Sequence, residues 1–231
     1  MDSLNPIEAR RQLGRLLEEY RQRGDQSSWF NVVYEQAGGD ERRVPWANLE
    51  PHRHFVEWAE RVSLDGRGKR ALQVGCGLGD DAEELARLGF AVTAFDISPI
   101  AIDWCRRRFP DSPVDYQVAD LFNLPTAWRS SFDFVLEINT LQALPRQLLG
   151  QAIERVASCV APDGSLLVIC WGANEPPDPK SMPLPLLRSE LAQFEQHGLH
   201  EAAFDEIVYD ETPPARRFRV LYHSEPAHMT E

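Results

Sequence analysis

Five residues, Gly75, Cys76, Gly77, Leu78 and Gly79, follow a short apolar run at 71–74 and open onto a helical pattern. A strand, a glycine loop and a helix in that order make a nucleotide pocket. The glycines allow a tight turn and a closer ligand approach than any Cβ would permit, and the helix start beyond them offers free N–H groups. A GxGxG string alone is a weak signal, because it occurs by chance in many loops. The downstream sequence strengthens it. A second apolar run at 90–95 ends in Asp96, about twenty residues past the glycines, where an acidic side chain meets ribose hydroxyls in folds of this type.

The pattern then repeats. A third run, 114–118, leads into Ala119, Asp120 and Leu121, and a fourth, 132–136, leads into Glu137, Ile138, Asn139 and Thr140. In an open parallel sheet the ligand crevice lies beyond the carboxyl ends of the strands, so these polar residues are expected to converge there. An isolated Asp at such a place is an ordinary helix cap or turn residue. Four in register are harder to explain that way. Strands and helical stretches alternate to Trp171, and the runs 203–209 and 217–222 flank Thr212, Pro213 and Pro214 as an antiparallel hairpin. The expected fold is α/β: a three-layer, Rossmann-like, seven-stranded, mostly parallel sheet finished by that hairpin.

Asn5 and Pro6 read as an N-cap and first helical residue, and Ile7, Leu13, Leu16, Leu17 and Tyr20 give an apolar stripe to about Arg23. Packing over the domain and closing as a lid both require that stripe. The expected division is an N-terminal helix and lid over 1–50, one domain over 51–223 and a tail over 224–231. A short helix is expected at 29–36, another at 51–61, and a further one over 186–197 ended by Gly198. The Gly/Pro-rich stretch 172–185 has the length of a site loop.

Composition narrows the partners. A formal charge of −12 opposes a phosphate backbone, so nucleic acid is not expected as a partner. No apolar stretch approaches the roughly 20 residues that span a bilayer, and the N-terminus lacks the pattern of a signal peptide. The expected state is a cytoplasmic monomer or weak dimer acting on a small molecule. Cys76, Cys105, Cys159 and Cys170 lack metal or disulfide spacing, and His52 with His54 are too few for a metal site, so no metal is expected. The two histidines read as surface or lid residues.

The succession VGCGLG, FDIS, VADLF, FDFVLE and the turn Ala161, Pro162, Asp163, Gly164 resembles a class I S-adenosylmethionine-dependent methyltransferase over residues 70–170. The resemblance implies that Asp96, beside Ile97, holds the ribose, that Asp120 faces the adenine amino group with Leu121 against the ring, and that the Gly75 to Gly79 loop, through Gly75, Cys76 and Gly77, backs the methionine end. Many members carry an acid two places before the first glycine. Here that place is Gln73, and Asp80 or Asp81 is the nearest substitute. The segment with Trp29, Tyr34, Pro45 and Trp46, together with Asp81, Glu137 and the Pro176, Pro177 loop, is similar to the thiopurine, thiol and halide methyltransferase branch. That branch adds Trp29, Trp46, Asp81 and Glu137 to the expected cofactor contacts.

Methyl transfer is an in-line displacement that depends mainly on positioning. Asn139, Thr140, Gln142 and Tyr34 are the candidates for orienting the acceptor, and the sequence assigns no catalytic residue. An aromatic site built from Trp29, Phe30, Tyr34, Trp46 and Trp171 would disfavour the sulfonium charge relative to the transition state. A thiol acceptor is the expected preference over oxygen or nitrogen, since a thiol near pKa 8.5 needs no strong base and no catalytic His stands out. The rivals are a nicotinamide-dependent oxidoreductase, whose fingerprint is spaced GxGxxG, and a cofactor-binding protein without catalysis.

Overall fold

The computed structural model describes Gly14, Glu19, Tyr20 and residues 28–178, 184–210 and 215–226. Most of the expected N-terminal helix, the tip of the hairpin at Thr212 to Pro214 and most of the tail lie outside them.

Five strands run parallel: β1 (Arg70–Val74), β2 (Ala91–Asp96), β3 (Asp115–Val118), β4 (Phe132–Ile138) and β5 (Val160–Ala173). The two-residue β6 (Leu186–Leu187) pairs with the end of β5. Next come β7 (Leu199–Tyr209) and β8 (Ala215–Ser224), which form the antiparallel hairpin. The main sheet order is β3-β2-β1-β4-β5-β8-β7. The inner strands β1 and β4 are apolar almost throughout because helices cover both faces of the sheet.

On one face lie α2 (Arg53–Arg61), α3 (Asp80–Arg87) and α4 (Pro99–Arg108), which bury Phe55, Trp58, Leu85 and Ile102. On the other, α5 (Leu149–Ala157) packs Ile153 and Val156 against Leu72, Val135 and Phe132. Ser98 caps α4 by accepting from Ala101 N, with Pro99 opening the helix. At the other end of α4, Arg108 is half-buried and bidentate on Asp80, while Arg106 and Arg107 stay exposed. A third cluster joins Tyr34, Ala37 and Val44 to Leu78, Ala101 and Trp104, which seats α1 (Ser28–Ala37) against the glycine loop and α4.

Two expectations need correction. The segment 186–197 is not one helix: it starts as β6, continues as the four-residue α6 (Arg188–Leu191) and ends as a 3-10 turn, Ala192–His197, closed by left-handed Gly198. Leu186 and Leu187 pair with Gly172 and Ala173, which outweighs their helix propensity. The turn at 161–164 lies within β5 as an irregularity, with Asp163 at φ 60°.

Candidate functional site

Register brings the carboxyl ends together. Val74 pairs with Phe95 on one side and Glu137 on the other, and Asp96 pairs with Val118. Between these ends lies the glycine loop, with Gly75, Gly77 and Gly79 all at positive φ. A Cβ on Gly75 would lie 2.3 Å from Thr140 Oγ1, and one on Gly79 would lie 2.6 Å from the Tyr116 hydroxyl. Glycine is required at both positions by space as well as by backbone angle.

Asp96 is buried beneath the loop. Its Oδ2 accepts from Gly77 N at 3.0 Å and its Oδ1 from Ser98 N at 2.9 Å. Burial pushes its carboxyl up to about 6, and backbone N–H groups oppose the shift. A carboxylate has about four acceptor positions, so these bonds leave room for ribose hydroxyls. Ile97 next to it is half-buried. Cys76 is buried too, and its thiol is pushed well up by burial and by the Cys105 thiol. Cys105 donates to Gly77 O, so both cysteines support the loop from within.

Asp80 and Asp81 take different roles. Asp80 is occupied by Arg108, whereas Asp81 Oδ1 accepts, among the described residues, only the His52 backbone N–H, at 2.6 Å. Burial pushes the Asp81 carboxyl up to about 7. Gln73 lies inside β1 at 2% exposure, with its Oε1 lacking a partner among the described residues. Asp120 is exposed and caps a 3-10 turn by accepting from Phe122 N, and Leu121 packs into the main core.

Glu137 is fully buried at the end of β4. Its Oε1 accepts from Thr140 N at 2.6 Å and Leu141 N at 3.0 Å, and its Oε2 has no partner among the described residues. Burial pushes its carboxyl up to about 7. These bonds fix the turn in which Asn139 adopts φ 64° and Thr140 donates to Val74 O. Gln142 accepts from Trp171 N at 2.7 Å, clamping the β4 turn to the end of β5.

The aromatic residues divide into two groups. Trp29, Phe30, Tyr34 and Trp46 form one cluster, with Trp46 Nε1 donating to the Tyr34 hydroxyl at 3.1 Å. The Tyr34 hydroxyl lies 3.7 Å from where a Gly77 Cβ would stand, so this cluster sits against the loop. Trp171 belongs elsewhere, with Tyr209 and Arg217.

That second group was not legible as a site in the sequence. His52 and His54 are 9% and 5% exposed, contrary to the surface role expected, because α2 presses them against the hairpin. His54 Nε2 bonds the Tyr209 hydroxyl and its Nδ1 bonds Glu57. The His52 Nδ1 is buried without a partner among the described residues. Burial, then Arg217 and His54, hold His52 down at about 3, so its ring is neutral at pH 7. Tyr209, Trp171 and Arg217 all lie at the carboxyl edge of the sheet, because β8 runs antiparallel to β5 and β7 returns beside it. Only the spacing of His52 and His54 hinted at this group. Among the described residues no cluster of His, Cys, Asp and Glu could hold a metal ion, and no helix is long and apolar enough to cross a membrane.

A parallel sheet in this order, with the glycine loop after β1 and a buried acid closing β2, is the fold of the class I S-adenosylmethionine-dependent methyltransferases. Residues 71–164 match the family model described as a methyltransferase domain. A ubiquinone biosynthesis O-methyltransferase of Xanthomonas campestris is 38% identical over 112 residues, which cover 48% of this chain and 45% of that protein. The chain thus spans about half the length of the curated relatives it matches. Among solved structures, one concerned with conversion of a disulfide bond into a thioacetal group during echinomycin biosynthesis superposes with TM-score 0.70 at 22% identity. It covers 88% of this chain and 93% of its own. The N-methyltransferase NodS of Bradyrhizobium japonicum, solved with S-adenosylhomocysteine, gives TM-score 0.66 at 18% identity, covering 84% and 97%.

Proposed function

We propose that this protein is an S-adenosylmethionine-dependent methyltransferase of a small molecule and that the acceptor atom is a hydroxyl oxygen. The observation that carries the cofactor reading is the buried Asp96 carboxylate, tied to Gly77 N and Ser98 N beneath a loop of three left-handed glycines. On this reading Asp96 and Ile97 hold the ribose, Asp120 and Leu121 the adenine, and Gly75, Cys76, Gly77 and Asp81 the methionine end. Glu137 stiffens the wall behind them. Residues up to about 50 act as a lid over the domain, bringing Trp29, Tyr34 and Trp46 onto the loop and excluding water. When bound, S-adenosylmethionine supplies a methyl carbon on a sulfonium, and transfer breaks that carbon–sulfur bond as the acceptor oxygen forms the new one.

The thiol preference expected from the sequence rests on the resemblance to the thiol branch, on the ready ionisation of a thiol and on the lack of an evident catalytic histidine. The buried His52, with Nδ1 unpartnered among the described residues beside the Tyr209, His54 and Glu57 chain, weakens the last of these grounds. Held down at about 3 by burial, that neutral imidazole is a weak base, and its part is to accept a hydrogen bond that orients the acceptor hydroxyl. The similarity to named O-methyltransferases points the same way, although the lid and the Pro176, Pro177 loop still resemble the thiopurine branch. The reading includes a cytoplasmic monomer or weak dimer. Radiolabelled cofactor offered to a panel of phenols, catechols, thiols and amines tests the acceptor. Label on a hydroxyl compound is expected, and label on thiols alone would return the assignment to sulfur.

A further inference from the structure

Arg216, Arg217 and Arg219 follow one another on β8, and two of them have carboxylate partners. Arg216 pairs with Glu206 and Arg219 with Asp205. Arg217 pairs with no carboxylate among the described residues. Its guanidinium lies over the Trp171 ring, 3.9 Å from the centroid, and its Nη1 donates to Asn139 Oδ1 at 3.0 Å. Five N–H donors are available on a guanidinium, and its hydrogen-bond partners among the described residues, Asn139 and the Tyr209 hydroxyl, are both neutral and leave donors over. Burial holds its pKa below the ordinary value. A partly desolvated cation with no counter-charge among the described residues is costly to maintain, and this one stands at the carboxyl edge of the sheet.

We infer that Arg217 is the anion anchor of the acceptor subsite, and that the molecule methylated carries a carboxylate that docks on its guanidinium. The inference rests on the methyltransferase reading above and names its substrate class. Asn139 and Trp171 hold the fork in place, one by a hydrogen bond and the other by its ring face, and a planar fork matches a carboxylate bidentately. The second observation is His52, 9% exposed, with Nδ1 unpartnered among the described residues and its ring within the field of Arg217. A ligand carboxylate on Arg217 neutralises one of the charges that oppose protonation of His52. Docking the acid thereby makes that ring a better hydrogen-bond acceptor for the hydroxyl.

The test uses the full chain saturated with S-adenosylhomocysteine and matched acid and amide probes: 3,4-dihydroxybenzoate, 4-hydroxyphenylacetate and 4-hydroxycinnamate, each against its carboxamide. Calorimetry is expected to show at least one acid binding about tenfold or more tighter than its amide, the scale of a charge-assisted pair. Arg217→Gln should abolish the preference and Arg217→Lys should retain part of it, with affinity for S-adenosylhomocysteine within about twofold of wild type in both. Equal binding of acids and amides, no acid binding at millimolar concentration, or a preference that survives in Arg217→Gln would each overturn the inference. Failure of wild type to bind S-adenosylhomocysteine in the loading step would instead strike the methyltransferase reading itself.

Discussion

Asp96 is already used by the apo fold. It accepts one N–H from the glycine loop and another from the start of α4, so it shapes the loop as well as facing the proposed ribose. Asp96→Ala is predicted to weaken S-adenosylhomocysteine binding by about 1–3 kcal/mol, the scale of lost charge-assisted hydrogen bonds. Asp96→Asn, which keeps acceptor capacity toward Gly77, should hold the melting temperature closer to wild type. Unchanged calorimetric affinity in the Ala variant would remove Asp96 from the ribose.

Glu137 allows a prediction in pH. Its carboxyl titrates at about 7 when folded and near 4.5 when unfolded, so the folded state binds the extra proton between those values and stability falls as pH rises through that window. Glu137→Gln preserves the acceptor for Thr140 N and Leu141 N without the buried charge. Its stability relative to wild type should therefore rise by up to about 3 kcal/mol between pH 4.5 and 8. Parallel urea titrations would measure it, and a pH-independent difference would show that Glu137 is charged and satisfied. The residue's position was readable from the sequence, as the polar end of an apolar run. Its inward orientation was not, because that depends on the turn at Asn139, where an asparagine adopts a left-handed backbone angle that few residues tolerate.

Among the elements, α1 is the one whose role depends most on a few contacts. Tyr34 is 2% exposed, bonded to Trp46 and edge-on to Trp104 of α4. Tyr34→Ala should cost about 3 kcal/mol by analogy with other buried aromatic truncations. The loss should fall locally, as faster hydrogen exchange over 28–49 with β1 and β4 unchanged. Uniformly faster exchange throughout the sheet would mean that α1 is part of the core and not a lid. The inner strands were the easiest elements to read, since burial on both faces leaves continuous apolar runs. The segment after Pro185 was misread because a two-residue pairing with Gly172 and Ala173 leaves no periodicity to detect.

At the scale of the whole molecule, distant segments meet at one edge. His54 and Tyr209 are 155 positions apart in the chain and share a hydrogen bond. Arg217 and Asn139, 78 apart, share another. Neither pair has a local signature, and both follow from the antiparallel return of β7 and β8 beside β5. The glycine loop and Asp96 could be recognised as a cofactor half in the sequence because their residues lie close together along the chain. The proposed acceptor half could not, because it draws on α2, the β4 turn and the hairpin. The expected aromatic cage likewise separates into the cluster of Trp29, Phe30, Tyr34 and Trp46 and, apart from it, Trp171, which lies under Arg217.

The central claim is that this pocket takes S-adenosylmethionine. Isothermal titration of the purified chain with S-adenosylhomocysteine, with NAD as the comparison, tests it most directly. The account predicts micromolar or tighter binding of S-adenosylhomocysteine, about −8 kcal/mol or better, and no binding of NAD. Binding of NAD alone would contradict it and turn the glycine loop into the pocket of an oxidoreductase.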